Sequence, residues 1–191
     1  MQPFVHDRLQ KLHQLLAHSS AVLVKYNHLA LDLASAVGGF LNEAIAVHLK
    51  LQLSSVENAL LALKAQFVSA EHGTHSDTLV RNTGHRREPV RAFALRVLQQ
   101  SAEQLRNDIA QDQRRLLDAR RHLQPLVLLA LRDGQISPPR RRRLSQRRLQ
   151  LLWRALLQAP DSALAARQLA MQISIYDIVL LLDELVETAT A

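Results

Sequence analysis

The sequence predicts an all-α protein: an elongated up-down bundle of three long helices, followed by shorter C-terminal helices. Three observations lead there. Ala, Glu, Lys, Leu and Arg supply about half of the 191 residues, a composition that goes with long helices when helical periodicity accompanies it. Apolar residues recur in alternating steps of three and four over three long stretches, the spacing of one helix face. Glycine and proline are scarce and fall where breaks between those stretches are needed.

The first stretch covers residues 4–37. Val5, Leu9, Leu12, Leu16, Ser19, Leu23, Tyr26, Ala30, Leu33 and Val37 form one heptad seam without a slip. Leu15, Val22, Leu29 and Ala36 widen it, as a helix with more than one neighbour requires. Gly38-Gly39 is expected to be the turn into a second helix. That helix is expected over 40–70, with Leu41, Ile45, Leu49, Leu53, Val56, Leu60, Leu63 and Phe67 as its stripe. Ser54 and Glu57 have the spacing of a capping box, but the stripe runs through them and favours one helix. Residues 71–88 are polar, hold two glycines and lack periodicity, which predicts a mobile loop.

Pro89 suits the first turn of a third helix, expected to reach residue 131. Its seam is Leu95, Leu98, Ala102, Leu105, Ile109, Asp112, Leu116, Ala119 and Leu123, continued by Leu126 and Ala130. Pro125 is expected to kink that helix without resetting it, and Asp133-Gly134 to end it. A basic helix is then expected over 138–158, with Ser137 as its cap and Pro138 in its first turn. Asp161 is expected to cap another helix, and Ser174 with Asp177 offers a further capping box. Residues 162–187 read equally as one helix or two. The predicted domains are a long-helix bundle, 1–133, and a basic helical segment, 134–191.

The charge distribution is lopsided. The chain carries 24 Lys and Arg against 17 Asp and Glu, a net +7. Between Gly134 and Pro160 stand seven arginines and no acid, so the remainder sums to zero. On the expected helix Arg140, Arg143, Arg147 and Arg154 share one side, flanked by Arg141, Arg142 and Arg148. Leu149, Leu152, Trp153, Leu156 and Leu157 take the other side. A solvated outer face is the default for such charge, but a face serving solubility alone usually mixes signs. The expected role is therefore non-catalytic, with this helix docking on nucleic-acid backbone or on an acidic protein surface. Aromatic residues are few, so base stacking is not expected. A second reading is a scaffold or assembly subunit that recognises protein through its seams or through residues 175–186, with homo- or hetero-oligomers as a consequence.

Other chemistry finds little support. No Ser-His-Asp order, paired-carboxylate box or phosphate loop stands out, so no enzyme is expected, and no cofactor. No cysteine is present, which removes disulfides and thiolate metal sites. His72, His75 and His85 lie near Glu71 and Asp77 in the polar loop, which by itself does not hold a tetrahedral set; no metal is expected. The N-terminus lacks the apolar run of a signal peptide, and residues 29–41 are too short to span a bilayer. A soluble cytoplasmic protein without membrane contact is the expectation.

Two polar positions are notable. Asp112 falls on the third seam, where a lone carboxylate is costly. One resolution is that the stripe drifts and Asp112 is exposed. The other is a polar layer in which Asp112 accepts a hydrogen bond from Tyr26, His48 or Gln52, which lie at the same height in an up-down-up bundle. The opening VHDRLQKLHQLL, a histidine followed by an acid at the start of an amphipathic helix, resembles the phospho-accepting box of histidine kinases and phosphotransfer proteins. The resemblance covers about ten residues and implies His6 as acceptor with Asp7 as its acidic neighbour. No nucleotide-binding glycine box accompanies it.

Overall fold

A computed structural model describes residues 4–28, 32–51, 54–72, 87–134 and 144–190. Every regular element among them is an α-helix: α1 (Val5–Asn27), α2 (Leu33–Lys50), α3 (Ser54–His72), α4 (Arg87–Arg132), α5 (Gln146–Gln158), α6 (Ala163–Gln172) and α7 (Ile175–Thr190). The all-α class stands. Of the three long rods, only the third is found at its expected length, as α4, and it stays helical through Pro125.

The other two are each divided, and at different places from those the glycines suggest. α1 stops at Asn27, and Gly38 and Gly39 lie inside α2 rather than in a turn. The apolar pattern is blind to this break because it holds its phase across it. Asp32 begins α2, yet its carboxylate pairs with Lys25 and makes no cap bond. The second expected helix also divides. α2 ends with Leu51 as its C-terminal cap, and α3 begins at Ser54, where the Ser54–Glu57 spacing marks a start. Most of the predicted 71–88 loop, including His75, Asp77 and His85, lies outside the described residues.

The basic helix is shorter than expected. Ser145 precedes α5 in an extended conformation (φ −68°, ψ 148°), so the helix starts at Gln146 and not at Pro138. At the other end Ala159, also extended, closes it before Pro160. Asp161 does not cap α6. Ser162 takes the capping position, and its hydroxyl donates to the Leu156 carbonyl at 2.7 Å. Ser174 divides the tail into α6 and α7 and caps α7: the Asp177 N–H donates to Ser174 Oγ at 3.2 Å, and the Ser174 hydroxyl itself donates to Asp177 Oδ2 at 2.7 Å. Gly134 ends α4 with φ +69°, the left-handed conformation that glycine adopts at least cost.

The chain forms two compact units. One comprises Gln10–Ile109. There α2 packs against α3, and Leu12, Leu15, Val37, Phe40, Leu41, Phe67, Val97 and Leu105 are among the buried side chains. Phe67 stacks on Phe93 with ring centroids 6.4 Å apart. The other unit comprises Met1–Leu9 with Ala110–Ala191. Its core joins Val5, Leu123, Val127, Trp153, Leu156, Leu169, Ile178, Leu182 and Leu185. Each such side chain contributes ~1.5–3 kcal/mol on full burial, so the inner face of α5 is held firmly and its outer face is fixed by exclusion.

Candidate functional site

The outer face of α5 is the first component of the candidate site. Leu149, Leu152, Trp153 and Leu156 are buried, as their spacing predicts, and Arg147, Arg148 and Arg154 are exposed on the remaining surface. Among the described residues none of these three makes an ion pair. Arg140, Arg141 and Arg143 lie outside the described residues. The backbone at Ser145 is extended, so α5 itself carries Arg147, Arg148 and Arg154. Among the described residues the basic surface is therefore a three-arginine helix face, preceded in sequence by an arginine run.

Beside that face lies an open groove of about 530 Å³. Leu144, Gln146, Leu149 and Gln150 line it from the α5 side, Ile175, Tyr176, Val179, Leu180 and Asp183 from α7, and Phe4 completes the lining. The Phe4 ring tilts against Tyr176 with centroids 5.9 Å apart, and against His6 at 6.0 Å. The α7 side belongs to the segment 175–186 that the sequence marks for recognition. Phe4 and Leu144, which complete the groove, carry no such mark.

His6 is placed by a residue that sequence reasoning used only locally. Asp177 Oδ1 lies 2.6 Å from His6 Nδ1 and accepts from the His6 N–H at 3.1 Å, while Oδ2 accepts from the Val5 N–H at 2.9 Å. One buried carboxylate thus caps the start of α1 from the start of α7. Burial pushes the Asp177 carboxyl up. Hydrogen bonds from the His6 ring, the Val5 N–H, Ser174 and the His6 N–H together outweigh it and hold the group below its ordinary 3.8. The acid at the His6 ring is therefore Asp177. The His6 side chain keeps 30 % of its exposure, with Nδ1 occupied.

Asp112 is fully buried, which overturns the reading that places it in solvent. Its carboxylate sits 2.6 Å from Arg8 Nε and 3.5 Å from Arg115 Nη1. The Arg8 N–H does not point along the short contact, so the two meet as charges rather than through an aligned hydrogen bond. Tyr26 and His48 are engaged elsewhere, and Gln52 lies outside the described residues. Arg91 stacks over the Tyr26 ring at 4.9 Å and donates to the Tyr26 carbonyl at 2.7 Å. His48 Nδ1 donates to the Ala44 carbonyl at 2.7 Å, and its Nε2 faces Asp108 Oδ2 at 3.8 Å. Arg8 was legible in principle. Val5, Arg8, Leu12, Leu15, Ser19 and Val22 also step by three and four, and this is the set that is buried. A basic residue on one seam and an acidic one on another is a pairing signal.

Among the described residues no group of three metal-ligating side chains forms and no helix is long and apolar enough to cross a membrane. No protein family, no curated protein and no solved structure matches the chain.

Proposed function

We propose that this chain is a non-catalytic interaction protein whose basic helix α5 binds a polyanion, nucleic-acid backbone in the first place. The observation that carries the proposal is the acid-free outer face of α5, where Arg147, Arg148 and Arg154 are exposed while the apolar face is locked into the core. Arginine keeps its charge and offers a planar fork to phosphate oxygens. With base-stacking side chains absent from that face, recognition is of backbone and of low sequence specificity.

Titrating the purified protein with duplex DNA over a range of salt tests this. Three phosphate contacts give a slope of log affinity against log salt of about −2.7, and further contacts from the arginine run steepen it. The triple substitution Arg147→Gln, Arg148→Gln, Arg154→Gln is expected to flatten the slope by about 2.7 with the fold retained. Absence of binding at low salt, or an unchanged slope in the triple variant, rules the proposal out.

A second reading is a scaffold that recognises protein. The observation favouring it is the groove between α5 and α7, whose lining is largely apolar and includes Tyr176 and Leu180 from segment 175–186. Co-purification of a protein partner that is lost with Tyr176→Glu would favour it over the polyanion.

A further inference from the structure

His6 and Asp177 form a dyad that neither the basic face nor the groove uses. The Asp177 carboxylate is wholly buried, and its other hydrogen-bond partners are all donors: the Val5 N–H, the His6 N–H and the Ser174 hydroxyl. Toward His6 Nδ1, 2.6 Å away, it is an acceptor as well, so the ring proton sits on Nδ1. The lone pair of the neutral ring is then on Nε2. Among the described residues no hydrogen bond or ion pair engages Nε2, and the ring is partly exposed. The cap on α1 is complete with the Val5 and His6 N–H groups; the ring contact is additional to it. His18 makes a useful contrast. Its Nδ1 also meets a carboxylate, Glu43 at 2.5 Å, but that carboxylate is half exposed and no backbone N–H is shown holding it.

A fixed carboxylate behind an imidazole activates the opposite nitrogen. It pins the tautomer, and it balances the positive charge that the ring gains when Nε2 forms a bond. The group that suits this nitrogen is a phosphoryl group. His6 stands in the first turn of α1, at the positive end of the helix dipole, which favours a substituent that brings negative charge. An acyl group on imidazole is soon lost to water, whereas a phosphoryl group on Nε2 persists at neutral and alkaline pH. We propose that His6 is a phosphorylation site, taking a phosphoryl group on Nε2 from a small donor of the phosphoramidate or acyl phosphate class. With phosphoramidate, the Nε2 lone pair forms the new N–P bond, the donor's P–N bond breaks, and its electron pair leaves with ammonia. The ring keeps its Nδ1 proton, and the charge it gains faces Asp177.

The proposal goes beyond polyanion binding and uses none of the α5 arginines, so either can fail alone. The test is to incubate the full chain with phosphoramidate at neutral pH and follow each histidine by peptide mass spectrometry under alkaline work-up. Phosphorus NMR assigns the nitrogen that carries the group. His6 is expected to react about tenfold faster than the exposed His13 and His122, and at Nε2. Asp177→Asn keeps an oxygen for the backbone N–H groups but can donate to Nδ1, which favours the other tautomer. It is expected to slow Nε2 phosphorylation of His6 by about tenfold, with His13 and His122 unchanged, and to move what remains toward Nδ1. A purely structural role for Asp177 would not alter which nitrogen reacts. Glu43→Gln is expected to leave the rate at His6 as it was. A wild type in which His6 reacts no faster than His13 and His122, or reacts at Nδ1, overturns the proposal whether or not the Asp177 variant folds. So does a folded Asp177→Asn protein that is phosphorylated at Nε2 of His6 at the wild-type rate.

Discussion

Arg8 and Asp112 meet at 2.6 Å with side-chain exposures of 6 % and 0 %. Both come from positions on helical apolar stripes. Taking two charges out of water costs several kcal/mol per ion, which their mutual attraction offsets only in part. Removing one partner leaves the other buried and unbalanced. Arg8→Leu or Asp112→Leu alone is therefore expected to destabilise the protein by ~3–5 kcal/mol. The double variant Arg8→Leu, Asp112→Leu is expected to cost much less than either single, and urea denaturation of all four proteins closes the cycle. Arg115, 47 % exposed beside Asp112, softens the Arg8 single change and gives the cycle an asymmetry.

Asp177 makes the attachment of α1 sensitive to acid. Its carboxyl is held lower in the folded protein than in the unfolded chain. The stabilisation is then fully present above the unfolded value, near 3.8, and is lost as pH falls through the folded one. Asp177→Ala removes the acceptor for the Val5 and His6 N–H groups and for the His6 ring. It is expected to cost ~1–2 kcal/mol at pH 7. The gap between variant and wild type should narrow below about pH 3.8. Denaturant midpoints of both proteins across that range check the sign. A gap that widens with acid contradicts the assignment.

Gly38 and Gly39 sit in the interior of α2 without a steric need for glycine, since a Cβ at either meets nothing within 4 Å. Gly38→Ala and Gly39→Ala are each expected to stabilise by ~0.5–1 kcal/mol through the lower entropy of the unfolded chain. Gly134→Ala is expected to do the opposite, because φ +69° strains any residue with a Cβ. Thermal midpoints of the three single variants separate the two cases.

Helix type, the buried stripe of α5 and the length of α4 were all legible in the residues, because apolar periodicity acts within a few turns of one helix. Leu149, Leu152, Trp153 and Leu156 announce their face by spacing alone, and the exposure of Arg147, Arg148 and Arg154 follows from it. The Ser174 cap of α7 is equally local and equally readable. Where a helix stops is less so. The seam through residues 4–37 keeps its phase across the break after Asn27, and an unbroken period carries no information about an interrupted backbone. Gly38-Gly39 misleads for the converse reason: a glycine pair permits a turn without requiring one.

Partnership was decided by tertiary structure. Asp112 shows in sequence as a misplaced charge, but whether it turns to water, to Tyr26 or to Arg8 depends on which helix faces it. Asp177 reads as the cap of its own helix, and nothing near it says that the same carboxylate holds Val5 and His6 at the other end of the chain. The groove assembles Phe4, Leu144 and Tyr176 from three distant segments. Sequence fixes a residue's angle on its own helix, because that angle follows from backbone geometry at ~100° per residue. It leaves open which other helix stands opposite, because that depends on the packing of every side chain at once.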